Sequence, residues 1–221
     1  MLARPHQKRR RPTPRTPEVT RNLLLQGAFQ EIYKSGFQSA DLDAVLARAG
    51  VTKGALYYHF ASKKTLGHAV VTEVVANVMR DKWLRPLLDA DDPIQALVAI
   101  VEATSMKSED LRGGCPLNNL SQEMSGLDEG FRKPLARIFG DWIGGIATAL
   151  RSGQKTGLVR EEVDADDAAV FLVATYEGYI SLTKNSQDAR VLRSGKRTLV
   201  RYLESLRAPA APGVAGELSV T

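Results

Sequence analysis

The residues best equipped for chemistry lie together in the stretch GVTKGALYYHF, at positions 50–60. Lys53 carries a positive charge, Tyr57 and Tyr58 carry hydroxyl groups, and His59 adds an imidazole. Consecutive residues of a helix point in different directions, so these side chains cannot all be buried. Their chemistry suits hydrogen bonds and ion pairs with a partner outside the chain.

The chain lacks the residue patterns of an enzyme. None of the three histidines, His6, His59 and His68, stands with a cysteine or carboxylate in a metal-ligand pattern. The sequence has no glycine-rich phosphate loop, and no histidine lies in the segment around the single cysteine, Cys115. We therefore expect no catalytic residue, no bound metal and no cofactor.

Positive charge is concentrated in the first third of the chain. The net charge is +5, but residues 1–66 hold 12 Lys and Arg against 4 Asp and Glu, and the other 155 residues hold 18 against 21. Such an asymmetry favours a polyanionic partner for the N-terminal part, either nucleic acid or an anionic membrane surface. One cysteine excludes an internal disulfide, and no apolar run suits a signal peptide or membrane span. We expect a reducing, cytoplasmic setting.

Hydrophobic spacing predicts four helices near the N-terminus. The first spans about 18–34, with apolar residues three and four positions apart: Leu24, Leu25, Ala28, Phe29 and Ile32. Gly36 ends it, Asp41 caps a second short helix that stops at Gly50, Thr52 caps a third, and Ser62 caps a fourth that starts at Lys63. Two short helices joined by a tight, glycine-containing turn are typical of a helix-turn-helix.

The rest of the chain, to about position 207, also has helical periodicity. Predicted helices begin near Pro93, Phe131, Asp164 and Arg190, and no run alternates with the period of a strand. The predicted fold class is therefore all-α. The helix over 164–186 is apolar around a broad arc, which suits either the centre of its own bundle or an interface with a second subunit.

Positions 24–66 resemble the TetR family of bacterial one-component transcriptional regulators. The resemblance rests on Gly36 and Phe37, on ARAGVTKGALYYHFASKKTL at 47–66, and on the spacing of the four helix starts. The sequence departs from the usual family pattern at Glu31, Ala44 and Leu46, which we expect to alter the packing between the first two helices.

The resemblance implies a helix-turn-helix DNA-binding domain at 18–66, followed by a helical effector-binding and dimerisation domain at 67–207. It also implies a repressor that binds a palindromic operator in double-stranded DNA as a homodimer and is released by a small-molecule effector. The arm at 1–17 is rich in proline and basic residues, and the tail at 208–221 consists mainly of small residues. We expect both to be disordered.

Carried over position by position, the family pattern implies DNA contacts for seven residues: Thr52, Lys53, Gly54, Tyr57, Tyr58, His59 and Lys64. Lys53 and Gly54 stand at the leading end of the recognition helix, where base edges are within reach. Tyr57 faces the groove, where it meets a thymine methyl group or a phosphate. We expect the remaining side chains to contact the phosphate backbone.

The most distinctive C-terminal segment is RGGCPLNNLSQEMS, at 112–125. Cys115 lies where a loop meets a helix, a position that can lower the pKa of a thiol and raise its reactivity. This position suggests an alternative function, a regulator that senses electrophiles or oxidants through Cys115. The other interpretation is a small buried residue that fills a gap.

A cavity for an unidentified effector is predicted from polar and large apolar side chains of the C-terminal domain. The candidates are Trp83, Met106, Cys115, Asn118, Gln122, Trp142, Tyr176 and Tyr179. Each of them also suits an ordinary core position.

An alternative of a different class is a basic protein that binds membrane surfaces. It would require a continuous basic helix with an apolar face. The basic residues here lie instead in a proline-rich arm and in short helices. We therefore expect no membrane partner.

Overall fold

The computed structural model describes residues 16–105 and 107–209 and confirms an all-α fold for them. Their only bridge-type pairing joins Val159 to Arg207. The helices are α1 (Pro17–Ser35), α2 (Leu42–Ala49), α3 (Lys53–His59), α4 (63–88), α5 (Pro93–Glu102), α6 (Ser108–Gly113), α7 (Pro116–Met124), α8 (Glu129–Lys155), α9 (Ala165–Ser186) and α10 (Ala189–Ser205).

Helix α4 is one continuous rod in which the winding changes. Its successive segments are Lys63–Ala69, the π-helical Val70–Val75, Ala76–Met79, the π-helical Arg80–Leu84, and Arg85–Leu88. A π segment closes its hydrogen bonds from residue i to i+5 and is uncommon in proteins. The rod joins the N-terminal helices to the larger C-terminal bundle, where it buries Trp83 completely.

The predicted N-terminal caps of α2 and α3 are confirmed, whereas α8 begins at Glu129 behind its cap Asp128, two residues before the predicted Phe131. Asp41 accepts a hydrogen bond from the amide of Asp43 at 2.9 Å, and Thr52 accepts one from the amide of Ala55 at 3.3 Å. Gly50 ends α2 in the left-handed conformation, with φ of 63°, which glycine adopts without strain. Helix α1 begins at Pro17, one residue before the predicted start, since Thr16 caps it and proline suits a first helical position.

Helices α1, α2 and α3 share a small apolar core. Leu24, Val45 and Leu56, one from each helix, are at most 2% exposed. The unusual Glu31 is only 7% exposed and lies 3.6 Å from the guanidinium of Arg48 on α2. The departure from the family pattern therefore adds a polar link between the first two helices.

The C-terminal bundle is built around α8, α9 and α10, with α5 packed against α10. Its largest buried side chains form an aromatic group. The ring centroid of Trp83 lies 4.6 Å from that of Trp142 and 4.8 Å from that of Tyr176. Burial of such rings supplies much of the apolar contact in a core of this kind.

The ends of the chain fall largely outside the described residues. Residues 1–15 of the predicted arm and 210–221 of the predicted tail are not described. Thr16 and Pro17 belong to α1, and the amide of Ala208 donates a hydrogen bond to the carbonyl oxygen of Leu158 at 3.0 Å. Within the described ranges, no helix combines the length and apolarity needed to cross a membrane.

Candidate nucleic-acid interface and helical cavity

Helix α3 is anchored on one side and open on the other. Leu56 and Phe60 are buried, whereas Tyr57 is 48% and Tyr58 is 78% exposed. Lys53 is also exposed, at the start of the helix. The structure therefore presents a positive charge and two phenol groups on the outer surface of a short, firmly held helix.

Gly54 is not required by the packing of the chain itself. A Cβ atom at this position would meet only the side-chain oxygen of Thr52, at 3.9 Å, which is ordinary contact distance. The missing side chain instead leaves the backbone of α3 open to close approach from outside. This is the property expected of a helix that lies against a duplex.

Two other sequence-predicted residues make contacts within the chain. The imidazole of His59 packs edge-on against Tyr58, with ring centroids 4.9 Å apart. The ammonium of Lys64 lies 2.5 Å from a carboxylate oxygen of Asp128, in the loop before α8. This pairing lowers the pKa of Asp128 and directs Lys64 toward the C-terminal bundle.

Helix α7 is joined directly to the N-terminal helices. The carboxylate of Glu123 accepts hydrogen bonds from the backbone amides of Phe37 and Gln38, at 2.8 Å each. We call this pair of bonds the α7 clamp. At the other end of α7, the hydroxyl of Tyr33 on α1 donates to the carbonyl oxygen of Gly114 at 2.8 Å. Both ends of the helix therefore contact the segment that precedes α2.

A cavity of about 240 Å³ lies between α4, α9 and the start of α7. Its walls include three of the sequence-predicted effector residues: Trp83, Cys115 and Tyr176. Met79, Ile180 and Leu192 add apolar surface to it. We call this space the helical cavity.

The other effector candidates lie elsewhere. Asn118 and Gln122 line a separate surface groove of about 850 Å³ between α1, α7 and α9. Trp142 packs against Trp83 at a tilt, outside the wall of the helical cavity, and the ring of Tyr179 packs against Gly195. Met106 lies outside the described residues.

Glu177 is a wall residue that the sequence interpretation missed. It is 7% exposed, and within the described part of the chain neither carboxylate oxygen has a hydrogen-bond partner. Burial raises its pKa; Cys115, Lys82 and Asn118 lie close enough to lower it in part, but none reaches hydrogen-bonding geometry. A lone carboxylate in the apolar run VFLVATYEGYISL was the available signal.

Cys115 does not have the activated thiol that its position suggested. It precedes α7 as predicted, but burial, and then the nearby Glu177, raises the pKa of the thiol. A thiol with a raised pKa holds less of the nucleophilic thiolate at neutral pH. The local electrostatics thus oppose the thiol-sensor interpretation.

Lys82 stands at the rim of the helical cavity. Its ammonium donates a hydrogen bond to the hydroxyl of Tyr176 at 2.6 Å, and that hydroxyl also lies 3.1 Å from the side-chain oxygen of Thr104. The same ammonium lies 5.0 Å from the ring centroid of Tyr176 and 5.7 Å from that of Trp83. The aromatic wall already accommodates a positive charge.

Large apolar side chains are exposed along α9. Val170 is 50%, Phe171 49% and Leu182 58% exposed. Phe171 also packs on Tyr202 of α10, with ring centroids 4.6 Å apart. We call Val170, Phe171 and Leu182 the apolar strip.

The geometry defines a helix-turn-helix protein of the transcription-regulator class, and comparison with known proteins agrees. The model for bacterial regulatory proteins of the tetR family matches residues 24–70, and that for the tetracyclin repressor-like C-terminal domain matches 93–199. The chain belongs to the TetR family.

Three similar proteins illustrate this membership. An uncharacterized HTH-type transcriptional regulator in the lacX 3' region of Lactococcus lactis subsp. lactis is 33% identical, over 79% of this chain and 88% of its own. The HTH-type transcriptional repressor DhaR of Mycobacterium sp. (strain GP1) is 31% identical, over 80% and 88%. A TetR transcriptional regulator from Chloroflexus aurantiacus J-10-FL superposes with a TM-score of 0.78 at 25% identity, over 89% of this chain and 100% of the other.

These comparisons confirm the predicted family, the fold class and the role of DNA-binding transcription regulator. The family regulators are often repressors. Neither the membrane-surface alternative nor the thiol-sensor alternative gains support from them.

Proposed function

We propose that this protein is a ligand-responsive repressor that binds a palindromic operator as a homodimer and leaves it when a small molecule enters the helical cavity. The observation that carries the ligand response is the position of α7. Its first residues line the helical cavity, and its Glu123 forms the α7 clamp on the segment before α2. A ligand that moves the start of α7 would therefore also move the segment before α2, and with it α2 and α3.

Contacts with DNA are assigned to the outer surface of α3. Lys53 and Tyr57 are exposed beside Gly54, where the backbone can approach base edges. Thr52, Tyr58 and His59 flank them and suit phosphate contacts. Lys64 can serve a phosphate only when its ammonium leaves Asp128, so its DNA role depends on that ion pair opening.

The homodimer is assigned to the apolar strip. Side chains of this size, half exposed on one helix, mark a protein-interaction surface. A two-fold dimer places two recognition helices about one DNA turn apart, which matches a palindrome. Effector release then follows if the ligand favours a spacing of the two helices that the operator does not accept.

Selection of bound sequences from a random DNA library tests the DNA part of the proposal. We expect a palindrome to be enriched. Tyr57→Ala and Lys53→Ala should each change the preferred bases, at a cost of about 1–3 kcal/mol, because both side chains stand where base edges are within reach.

Lys155→Ala is the matched control, since Lys155 is an exposed lysine at the far end of α8. Its binding should equal that of the wild type. Enrichment of no sequence, or equal preferences for the wild type and Tyr57→Ala, would contradict the assignment of α3.

A further inference from the structure

We propose that the helical cavity binds a small organic cation, an alkylammonium whose positive nitrogen reaches the Glu177 carboxylate and whose hydrocarbon part packs on the aromatic and aliphatic walls. The inference rests on the proposed function only in treating this cavity as the effector site. The binding chemistry itself follows from the residues of the cavity.

Glu177 supplies the first requirement of such a site. A buried carboxylate costs free energy unless it is paired or hydrogen-bonded, and neither oxygen of Glu177 has a hydrogen-bond partner among the described residues. The nearby Asn118 donates one of its two amide N–H groups to Ser181 at 3.0 Å and makes no hydrogen bond to Glu177. A ligand that carries N–H donors and a positive charge would satisfy both oxygens at once.

The aromatic rings supply the second requirement. The faces of tryptophan and tyrosine rings attract cations, and Trp83 and Tyr176 meet nearly at right angles, with an interplanar angle of 85°. The ammonium of Lys82 already lies 5.7 Å from the ring centroid of Trp83 and bonds the hydroxyl of Tyr176 at the edge of that ring. Because Lys82 is exposed, its side chain is free to move into solvent when another cation takes its place.

Size and the remaining walls restrict the ligand further. About 240 Å³ is below the roughly 300–1,000 Å³ of sites for drug-sized molecules, so a short-chain amine fits better than a polycyclic one. Met79, Ile180 and Leu192 can cover its hydrocarbon part. An anion is disfavoured, because Lys82 is the cation among the described wall residues and the Glu177 carboxylate would repel the anion inside the cavity.

Titration calorimetry of the full chain with three probes of matched size tests this chemistry: n-butylammonium chloride, 1-butanol and sodium butyrate. We expect saturable binding of n-butylammonium at concentrations up to about 10 mM, weaker binding of butanol and none of butyrate. Glu177→Gln should weaken n-butylammonium by about tenfold or more while leaving butanol unchanged. Lys82→Ala should strengthen n-butylammonium, since it removes a competing charge from the same rings.

Glu161→Gln serves as the control, because Glu161 is exposed and lies outside the walls of the cavity. Absence of n-butylammonium binding, tighter binding of butyrate, or equal affinity in the wild type and Glu177→Gln would each overturn the proposal. Operator binding measured on the same samples separates the two claims. If n-butylammonium binds but the operator stays bound, the ligand class is supported and the proposed release is contradicted. If n-butylammonium does not bind while the protein still holds its operator, only the ligand class is contradicted.

Discussion

Glu177 shows how a single residue can oppose the stability of the fold that contains it. Its carboxylate is enclosed by the bundle without a hydrogen bond from any described residue, and burial raises its pKa. The folded chain therefore binds this proton more tightly than the unfolded chain does. Stability is lost as the pH rises above the ordinary value of 4.5 and through the raised pKa of the folded state.

Glu177→Gln should therefore stabilise the unliganded protein, and more so at pH 8 than at pH 5. The amide keeps the shape of the side chain but does not ionise, so a gain of about 1 kcal/mol is expected at the higher pH. Thermal unfolding followed by circular dichroism should show a melting temperature higher by roughly 2–4 °C.

The exposed Glu161→Gln provides the reference for this comparison, and its melting temperature should follow the wild type at both pH values. A Glu177→Gln effect of equal size at pH 5 and pH 8 would show that ionisation of Glu177 is not the cause. A destabilised variant at pH 8 would show that the carboxylate has a partner in the folded chain.

At the scale of single residues, the sequence was sufficient to predict those roles that depend only on neighbouring positions in the chain. Thr52 and Gly50 act through their own side chain or backbone angle, so their type and position were sufficient to place a cap and a turn. Glu177 and Lys82 depend on neighbours from other helices. Lys82 meets Tyr176, 94 positions away, and no spacing rule within one helix indicates such a contact.

Among the helices, α7 connects the two halves of the molecule in addition to the rod α4. It is only nine residues long, yet it borders the helical cavity at its start and forms the α7 clamp near its end. A carboxylate that accepts two backbone hydrogen bonds is a strong and directional link. A shift of α7 is therefore passed to Phe37 and Gln38 without an intermediate.

Removing the α7 clamp should be visible as faster hydrogen exchange. In Glu123→Ala, the amides of Phe37 and Gln38 lose their acceptor, and we expect their exchange to accelerate by about tenfold or more, as for loss of a hydrogen bond to a charged group. Nuclear magnetic resonance of the labelled protein measures both amides individually.

Glu129→Ala is a suitable control for the clamp, since Glu129 pairs with Arg132 and Lys133 of its own helix. Its exchange at Phe37 and Gln38 should match the wild type. Unchanged exchange in Glu123→Ala would mean that these amides are protected by another group and that α7 does not hold the segment.

The course of the helices followed from periodicity and caps, but the changes of winding inside α4 did not. Val70, Val71, Val74 and Val75 predict an apolar face whether the turn is α or π. The first π segment packs against α1 and α8 and the second against α8, and such contacts come from other parts of the chain. A pattern in one helix does not contain that information.

For the molecule as a whole, the apolar strip is the surface that we expect a second subunit to cover in the dimer. Phe171→Glu places a charge in the strip and should convert the proposed dimer to a monomer, with loss of operator binding. Analytical ultracentrifugation measures the mass directly.

Leu88→Glu tests whether any new surface charge has this effect. Leu88 is 79% exposed at the end of α4, away from the strip, and the variant should keep the mass of the wild type. A Phe171→Glu protein that sediments as the wild type does would move the interface away from α9.

The two π segments of α4 also have a mechanical consequence. A π turn accommodates one more residue than an α turn. If one π segment rewound into the α form, the part of α4 that follows it would rotate and shift relative to the part that precedes it. Leu66 lies before the first segment and Trp83 within the second. A change of winding in either π segment would therefore rotate the part of α4 at the cavity by a different amount from the part beneath the DNA-binding helices.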